Sequence, residues 1–451
     1  MNISVIGLGK LGAPLAACYA ACGHRVVGVD LNAESVALVN QGQPPVIEPE
    51  LERLLREAQG RLTATTDTSA AIRDTELTFV VVPTPSQPDG SFSLRYVLQA
   101  CRDIGLALRD KTARHTVVIT STVMPGATGG RIRAALEQHS GKRCGPDFGL
   151  CYSPEFIALG SVVRDLSRPD LVLIGESDPR AGDVVAAAIL SLCNNDPPLR
   201  RTSFASAELA KLAINTFVTA KISFANMLAE LCEQLPAADV DDVTTAVGLD
   251  SRIGMKYLKA GLGYGGPCFP RDNAALTALA RSLQLPAPLP TAIDRVNQRQ
   301  LSRLLELVSN ELPAGGTVGI LGLTYKPGSP VVEQSQGFEL AEQLAERGVS
   351  LVLHDPLALD AALQRLPSDV KAASSPLDCA RRADVLVLCL PCTDYFELGE
   401  ELARREPCKP LTLIDCWRLF ADQALPADVR YIGLGKHHGQ PRLPAAATIA
   451  G

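Results

Sequence analysis

The chain has 451 residues, of which 46% are apolar and 20% charged, and its formal net charge at pH 7 is −6. This length predicts about three domains of ~150 residues each, and the acidic balance argues against a surface for nucleic acid or anionic membranes. Thirteen cysteines, an odd number, do not indicate a disulfide framework and are typical of a reducing cytoplasm. Since no stretch reaches the ~18 to 20 uninterrupted apolar residues of a membrane span, we expect a cytoplasmic protein without a membrane or nucleic-acid partner.

About the first 190 residues alternate between short β-branched runs and helical segments. The runs are ISVIGL, RVVGVD, TFVVVP, TVVITST, FGLCYSP and LVLIG. Such alternation predicts parallel strands joined by crossover helices. The apolar start resembles a signal peptide, but it has no basic leader and fits strand, turn, helix and strand better.

A GxGxxG motif, GLGKLG from Gly7 to Gly12, follows the first run and opens a helix, and Asp30 closes the next run. The motif alone is weak, but this βαβ context is the one that binds a dinucleotide pyrophosphate at a helix N-terminus. Asp30 is expected to accept hydrogen bonds from the adenosine ribose, which favours NAD over NADP. The predicted cofactor contacts in this unit are Gly7, Gly9, Lys10, Leu11, Gly12 and Asp30.

Three further loops follow predicted strands at the carboxyl edge of the first sheet, where ligands bind in doubly wound folds. PTP offers Pro83 and Thr84, and STVMPGAT offers Thr122, as dinucleotide contacts. Without the glycine loop they would be ordinary turn residues. SPEF places Glu155 at the same edge, as a helix-start residue or as a general base or water positioner.

One long helix is predicted from Ser203 to about Leu235, a stretch without glycine or proline. It is too apolar for a lone solvent-facing helix, so we expect it to be central or to form a homodimer or higher homo-oligomer. Glu208, Lys211 and Asn215 share one of its faces. They form either a solvated stripe or a cavity lining, in which lysine stabilises an oxyanion and asparagine orients a hydroxyl or water.

The segment GYGGPCFPRD, from Gly263 to Asp272, places a cysteine in glycine-rich backbone four residues before an acid. The glycines let a ligand approach the main chain, and Arg271 favours the reactive thiolate of Cys268. Asp272 is positioned to activate water. The alternative is a tight turn with an incidental cysteine.

A second α/β pattern begins near Thr317 with TVGILGL, SLVLHDP, DVLVLCLP and LTLIDCW. We therefore predict an α/β fold with two doubly wound domains, 1–195 and 306–435, joined by a helical segment, 196–305, and followed by a disordered tail, 436–451. The CxxC from Cys389 to Cys392 lacks a second ligand pair and indicates strand-end packing rather than a metal site. The candidate anion contacts are Arg252, Lys326 in LTYKPG and Arg418 in DCWRLF, each of which is individually more often a surface charge.

In this order the segments resemble the UDP-glucose/GDP-mannose dehydrogenase family over nearly the whole chain. The most specific matches are AELAKLAINTFVTAKISFANMLAELCE and DSRIGMKYLKAGLGYGGPCFPRD. The resemblance implies an N-terminal NAD-binding Rossmann domain, a helical dimerisation segment and a C-terminal nucleotide-sugar domain. It also implies that two NAD oxidise the primary alcohol of the sugar to a carboxylate.

The resemblance assigns roles to residues of this chain. Cys268 is expected to trap the aldehyde as a thiohemiacetal, which the second oxidation turns into a thioester. Water, held or activated by Asp272 and Glu155, hydrolyses the thioester while Lys211 and Asn215 stabilise the oxyanion. The implied catalytic residues are Cys268, Lys211, Asn215, Asp272, Glu155 and Thr122, and Pro83, Thr84 and Thr122 join the NAD contacts. The implied substrate contacts are Glu155, Phe156, Lys211, Asn215, Arg252, Tyr257, Gly263, Tyr264, Gly265, Tyr325, Lys326 and Arg418, with Arg252 reaching a neighbouring subunit's site.

The chain departs from the family pattern at four positions. Leu159 stands where a second glutamate is common, and Pro267 where a serine precedes the cysteine. Arg271 replaces a lysine, and Glu333 stands where an arginine usually meets the cofactor. These changes bear on the substrate and on closure over the cofactor.

UDP-glucose is the expected substrate, with GDP-mannose and a UDP-N-acetylhexosamine as alternatives. A two-electron hydroxyacid dehydrogenase would share the glycine loop and the Lys211 to Asn215 pair, but it needs neither Cys268 nor a second α/β domain. Leu159 and Glu333 also raise the alternative of a non-catalytic nucleotide-sugar sensor.

Overall fold

A computed structural model describes residues 1–404 and 410–437 of the chain. The chain forms two compact units, one of Met1–Ile214 with Ala278–Leu285, and one of Asn215–Thr277 with the chain from Pro286 onward. The predicted domain boundaries stay a prediction. Within the predicted tail, the ammonium of Lys436 lies 2.7 Å from a carboxylate oxygen of Asp239, and residues 438–451 fall outside the described chain.

The first unit contains an eight-stranded sheet. Its strands are β1 (Asn2–Ile6), β2 (Arg25–Val29), β3 (Leu62–Thr65), β4 (Leu77–Val80), β5 (Thr116–Ile119), β6 (Gly149–Tyr152), β7 (Val172–Glu176) and β8 (Leu199–Thr202). They lie in the order β3-β2-β1-β4-β5-β6-β7-β8. All neighbours are parallel except β6 and β7.

Helices connect these strands over two apolar cores. They are α1 (Gly12–Ala21), α2 (Ala33–Asn40), α3 (Leu51–Glu57), α4 (Thr68–Asp74), α5 (Arg95–Arg109), α6 (Arg133–Ser140), α7 (Val162–Ser167) and α8 (Pro179–Leu190), with a π-helical turn at Thr128–Ile132. Val118 joins one core, while its neighbours Val117 and Ile119 join the other. Because successive strand residues point to opposite faces, both faces of the sheet are covered, as the buried β-branched runs predict.

Four helices follow: α9 (Phe204–Gln234), α10 (Val240–Leu249), α11 (Phe269–Ser282) and α12 (Pro288–Glu311). The predicted long helix is confirmed to within one residue at each end. By length and hydropathy, α9 is the one helix among the described residues that could cross a membrane, and 44% of its most apolar window is buried inside the protein.

The second unit contains a six-stranded parallel sheet in the order β11-β10-β9-β12-β13-β14. Its strands are β9 (Thr317–Leu321), β10 (Ser350–His354), β11 (Lys371–Ala372), β12 (Val385–Leu388), β13 (Leu411–Asp415) and β14 (Val429–Gly433). The helices are α13 (Gln336–Glu346), α14 (Leu359–Leu363), α15 (Pro376–Arg382) and α16 (Leu398–Arg404), with a 3-10 turn at Thr393–Tyr395. This order repeats the first six strands of the first sheet, so the prediction of two Rossmann-like domains is confirmed.

The two halves also share a turn after their first strand. Gly7 and Gly322 have φ angles of 98° and 95°. A Cβ atom on Gly12 would lie 1.7 Å from the carbonyl oxygen of Gly7, and one on Gly337 would lie 2.2 Å from that of Gly322. Only glycine permits such a close helix–strand approach, so the second half keeps the turn although its loop is longer.

The CxxC cysteines lie after β12. Cys389 and Cys392 are both buried, and the described residues contain no group of three or more His, Cys, Asp or Glu side chains that could hold a metal. Their placement agrees with strand-end packing.

Candidate active site

The glycine loop of the first unit leaves space for a ligand at the start of α1. A Cβ on Gly7 would lie 2.7 Å from the carbonyl oxygen of Val81, whereas one on Gly9 would meet no described atom within 4 Å. No side chain caps the first turn of α1. The loop therefore fits a dinucleotide pyrophosphate, which helix N-terminal N–H groups bind.

Asp30 supports this loop from the end of β2. Its Oδ2 accepts a hydrogen bond from the Leu8 N–H at 2.7 Å, and its Oδ1 accepts one from the Asn32 N–H at 2.8 Å. A carboxylate has about four acceptor positions, so half-buried Asp30 keeps capacity for ribose hydroxyls. Lys10 and Leu11 lie in the same loop, with Lys10 exposed and Leu11 half-buried.

In the second half, the acid at the position equivalent to Asp30 already accepts hydrogen bonds from the protein at all of its acceptor positions. Asp355 accepts hydrogen bonds from the backbone N–H groups of Leu323, Thr324, Leu357 and Ala358 and is 4% exposed. Four backbone donors leave it no acceptor position for a ribose. The second half therefore keeps the dinucleotide-binding turn without its ribose contact.

Two of the predicted NAD loops are hydrogen-bonded to each other. The buried Thr84 donates through Oγ1 to the carbonyl oxygen of Thr122 at 2.7 Å, and Ser121 donates to the carbonyl oxygen of Val82 at 2.6 Å. Pro83 is exposed and Thr122 half-buried. The structure thus brings Thr84 and Thr122 together at the carboxyl edge of β4 and β5.

Glu208 fixes the second of these loops from α9. Its carboxylate accepts the N–H of Gly126 at 2.6 Å and that of Thr128 at 2.8 Å, and it is fully buried. Burial raises the pKa of Glu208, and the hydrogen bonds oppose that rise. Glu208 therefore holds the STVMPGAT loop in place, a role that its position on the helix face did not predict.

A hydrogen bond joins the side chain of Lys211 to the main chain of Glu155. The ammonium of Lys211 donates to the backbone carbonyl oxygen of Glu155 at 2.7 Å and lies 4.8 Å from the ring centroid of Phe156. Lys211 is 8% exposed, so its charge is held in a largely dry environment. A positive charge so placed suits the stabilisation of an oxyanion.

Burial raises the pKa of the Glu155 carboxyl from 4.5 to about 7, and the charge of Lys211 opposes that rise. Such a carboxyl changes charge near neutral pH, as a general base must. The folded protein also holds a proton that the unfolded chain releases. Glu155 therefore contributes stability below pH ~4.5 that is lost as the pH rises through ~7.

Replacement of Glu155 by glutamine should remove this loss. Between pH 5 and pH 8, we expect the wild type to lose roughly 1 to 2 kcal/mol more of its free energy of unfolding than Glu155→Gln loses. This value is reduced because Glu155 is partly exposed to solvent. Urea unfolding at the two pH values measures it, with the exposed Glu346→Gln as the control. An equal difference at both pH values would contradict the assignment.

In the second unit, Cys268 lies directly before α11. Its carbonyl oxygen accepts the N–H of Asp272 at 3.0 Å, and the residue is exposed. A thiol at a helix N-terminus faces the positive end of the helix dipole, which favours thiolate. The position is that of an accessible nucleophile, unlike a cysteine buried in a core.

Asp272 lies one turn beyond the cysteine and is 2% exposed. Its Oδ2 accepts a hydrogen bond from Asn215 Nδ2 at 2.6 Å, and its Oδ1 lies 3.7 Å from Arg271 Nε. The structure thus pairs Asn215 of α9 with the acid of the cysteine loop, a contact that the sequence did not predict.

Two amide side chains, the buried Asn226 and the half-buried Asn297, hold the loop before Cys268. Asn226 bonds the N–H of Gly261 and the carbonyl oxygen of Leu262, and Asn297 bonds both backbone polar groups of Tyr264 at 2.8 and 2.9 Å. These contacts satisfy the backbone of an irregular buried segment. Sequence reasoning missed both amides, because nothing local marks their distant partners.

A third buried network fixes the phenol of Tyr264. Its hydroxyl donates to Asp294 Oδ1 at 2.7 Å and accepts from Asn273 Nδ2 at 3.0 Å. Asn273 is fully buried. Two hydrogen bonds therefore fix the Tyr264 hydroxyl, and its ring makes a T-shaped contact with the ring of Phe269.

Arg418 is buried and paired within the second unit. Its guanidinium contacts both carboxylate oxygens of Asp241 at 2.6 and 2.8 Å, and it donates to the carbonyl oxygens of Ala260 and Leu434. Its φ of 59° lies in the left-handed region, a strained conformation that these bonds stabilise. Its role as a substrate contact stays a prediction.

The other predicted substrate residues are spread over the second unit. Arg252 is exposed and pairs with Asp250 at 2.6 Å, Tyr257 is 53% exposed, and Lys326 is half-buried. Tyr325 lies under Gly266. An exposed Arg252 agrees with a residue that acts on a neighbouring subunit, which stays a prediction.

The structure describes the surroundings of two positions at which the chain departs from the family pattern, Leu159 and Glu333. Leu159 packs against an apolar core of the first unit, beside Gly160, whose N–H is bonded by Glu48 at 2.8 Å. Glu333 is exposed, and its backbone oxygen accepts the N–H of Gly266 at 3.2 Å.

Comparison with known proteins identifies one family along most of the chain. Models of the UDP-glucose/GDP-mannose dehydrogenase family match residues 1–190 as its NAD binding domain, 205–299 as its central domain and 319–422 as its UDP binding domain. A UDP-glucose 6-dehydrogenase of Haloferax volcanii is 39% identical over 412 residues, which cover 90% of this chain and 95% of that protein. A GDP-mannose 6-dehydrogenase of Pseudomonas putida is 38% identical over 359 residues, 79% of this chain and 81% of that protein.

The similarity to a solved structure also extends over nearly the whole chain. The UDP-glucose dehydrogenase of Pyrobaculum islandicum superposes with a TM-score of 0.85 at 35% identity and covers 96% of this chain and 97% of its own.

Proposed function

Because the chain belongs to the UDP-glucose/GDP-mannose dehydrogenase family and is an NAD-dependent nucleotide-sugar 6-dehydrogenase, we propose that it oxidises UDP-glucose to UDP-glucuronate. The observation that carries the choice of sugar is the extent of the similarity to UDP-glucose enzymes, which covers 90% of this chain against 79% for the GDP-mannose enzyme. The match to the family's UDP binding domain at residues 319–422 supports a nucleotide-sugar substrate.

The residues of the first unit suit NAD binding and general-base catalysis. Gly9 leaves room for the pyrophosphate of NAD, and Asp30 has acceptor positions for its ribose. NAD supplies the hydride acceptor for each of the two oxidations. We assign Lys211 the role of stabilising the oxyanion, and Glu155 that of accepting a proton or orienting water.

The residues of the second unit fit covalent capture. The Cys268 thiolate adds to the aldehyde carbon, and the oxygen takes a proton to give the thiohemiacetal. Loss of a hydride and a proton leaves the thioester, and water attacks that carbon, so that the carboxylate forms and the thiol is regenerated. Asp272, whose carboxylate is held in position by Asn215, is suited to take the proton of that water.

A panel of nucleotide sugars tests the proposal. UDP-glucose, GDP-mannose, UDP-N-acetylglucosamine and UDP-N-acetylmannosamine are each incubated with NAD, and NADH absorbance is followed. We expect UDP-glucose to give the highest kcat/KM. A higher value for GDP-mannose would identify the other branch of the family, and tight binding of UDP-glucose without NADH would identify a sensor.

We also propose a homodimer formed through α9. In the second unit this helix exposes an apolar stripe in which Phe217, Phe224 and Leu231 follow one another at intervals of seven residues and are 66%, 44% and 53% exposed. A heptad stripe of this kind is typical of a helix that packs against a partner helix. The free thiols of all twelve cysteines in the described chain support a reducing cytoplasm.

Charges on the stripe should separate the subunits. We expect the double variant Phe217→Asp, Leu231→Asp to sediment as a monomer and the wild type as a dimer, because two carboxylates buried in the interface would lack partners. Sedimentation velocity measures the mass, and Leu357→Asp, exposed elsewhere, is the control. A dimeric double variant would place the interface on another surface.

A further inference from the structure

The backbone of the cysteine loop lies against one segment of the second α/β half, Tyr325–Gln336. The N–H of Gly263 donates to Gln336 Oε1 at 2.7 Å, and the N–H of Gly266 donates to the carbonyl oxygen of Glu333 at 3.2 Å. The segment supplies a side-chain acceptor at one end of the glycine run and a backbone acceptor at the other.

The same segment explains why the loop carries glycines. A Cβ on Gly265 would lie 1.9 Å from the carbonyl oxygen of Gln334, and a Cβ on Gly266 would lie 2.4 Å from the ring of Tyr325. One on Gly263 would lie 2.1 Å from the amide nitrogen of Gln336. The glycines thus permit close packing onto the segment, and any side chain would lift the loop away from it.

Gln336 makes the contact that mutation can remove. It is 7% exposed, it is the first residue of α13, and Ser335 caps that helix by accepting the Phe338 N–H. Removal of the Gln336 oxygen would leave the partly buried Gly263 N–H without this acceptor. An unsatisfied donor costs desolvation free energy, so we expect the backbone at Gly263 to move toward another acceptor. The loop that moves is the one that ends in Cys268.

We propose that Gln336 is a positioning residue that fixes the cysteine loop and so keeps Cys268 at the N-terminus of α11. The inference rests on the proposed function in taking Cys268 as the nucleophile. It adds that the segment that holds the cysteine loop also carries Lys326, a predicted nucleotide-sugar contact. A displaced loop would take the thiolate away from the positive end of the helix dipole, which stabilises it.

Three variants test the oxygen of Gln336 specifically. Gln336→Leu removes the acceptor at similar volume. Gln336→Glu keeps an acceptor of the same reach and is favoured at a helix N-terminus, where negative charge is stabilising. Gln343→Leu makes the same change seven residues later on α13, away from the cysteine loop.

The readouts are the rate at which iodoacetamide alkylates Cys268, measured by mass spectrometry of its peptide across a range of pH, and steady-state kcat and KM. We expect Gln336→Leu to slow alkylation at neutral pH about two- to fivefold, the size of a helix-dipole effect, and to move the pH midpoint upward. We expect kcat to fall with the KM for NAD unchanged. Gln336→Glu should restore both, and Gln343→Leu should match the wild type.

Wild-type alkylation and kcat in Gln336→Leu would overturn the inference, as would a Gln336→Glu variant no better than Gln336→Leu. If Gln336→Leu does not fold, Gln336→Asn, one methylene shorter, gives the same comparison. Alkylation needs no substrate, so it decides this inference even if the wild type oxidises none of the nucleotide sugars, a result that would refute the proposed function instead.

Discussion

Replacement of Cys268 by serine is expected to lower NADH formation from UDP-glucose by about three orders of magnitude or more, the scale seen when a covalent nucleophile is removed. A serine hydroxyl has the same place in the loop before α11 but is a far weaker acid than a thiol, so it remains protonated at neutral pH. The aldehyde would then not be captured, and the second oxidation would have no thiohemiacetal to act on.

Stopped-flow absorbance with enzyme in excess over UDP-glucose measures this prediction. Cys268→Ser should release at most one NADH per sugar in the first turnover, and mass spectrometry should find no covalent sugar adduct. Cys22→Ser, which alters another exposed thiol, should behave as the wild type. A Cys268→Ser enzyme with wild-type turnover would remove the cysteine from the mechanism.

Replacement of Asp272 by asparagine is expected to lower kcat by about 100- to 10,000-fold, the range for loss of a general base. The side chain keeps its shape and its place beside Asn215, 2.6 Å away in the wild type, but it loses the charge that would take a proton from water. Hydrolysis of the thioester should become the slow step.

The kinetic pattern separates this variant from the cysteine variant. Asp272→Asn should release two NADH per active site in a rapid burst and then stall, with the acyl adduct on Cys268 visible by mass spectrometry. Asp242→Asn, exposed on α10, is the control. Loss of the burst itself would show that Asp272 acts before hydrolysis.

The sequence was sufficient for features whose signal is local. The alternation of β-branched runs predicted both sheets, and the lack of glycine and proline predicted α9 because a helix continues where nothing ends it. The Gly7 to Gly12 motif and the Gly263 to Asp272 segment carried their own geometry, since only glycine tolerates the close backbone approaches found there. Asp30 could be placed because it closes the same βαβ unit.

The contacts that hold the site could not be predicted, because their partners are far apart in the chain. Arg418 was expected to meet an anion, and the structure shows it paired with Asp241, 177 positions away. Asn297 and Gln336 reach the cysteine loop from helices whose sequences show only ordinary polar residues. Glu208 was recognised as part of a helix face, but only the fold shows that it bonds the loop at Gly126.

The number of NADH molecules formed per UDP-glucose consumed tests the central claim most directly. With limiting UDP-glucose and excess NAD, the reaction is run to completion, NADH is measured by absorbance, and the product is identified by mass spectrometry. We predict two NADH and one UDP-glucuronate for each UDP-glucose. One NADH with an aldehyde product would contradict the account.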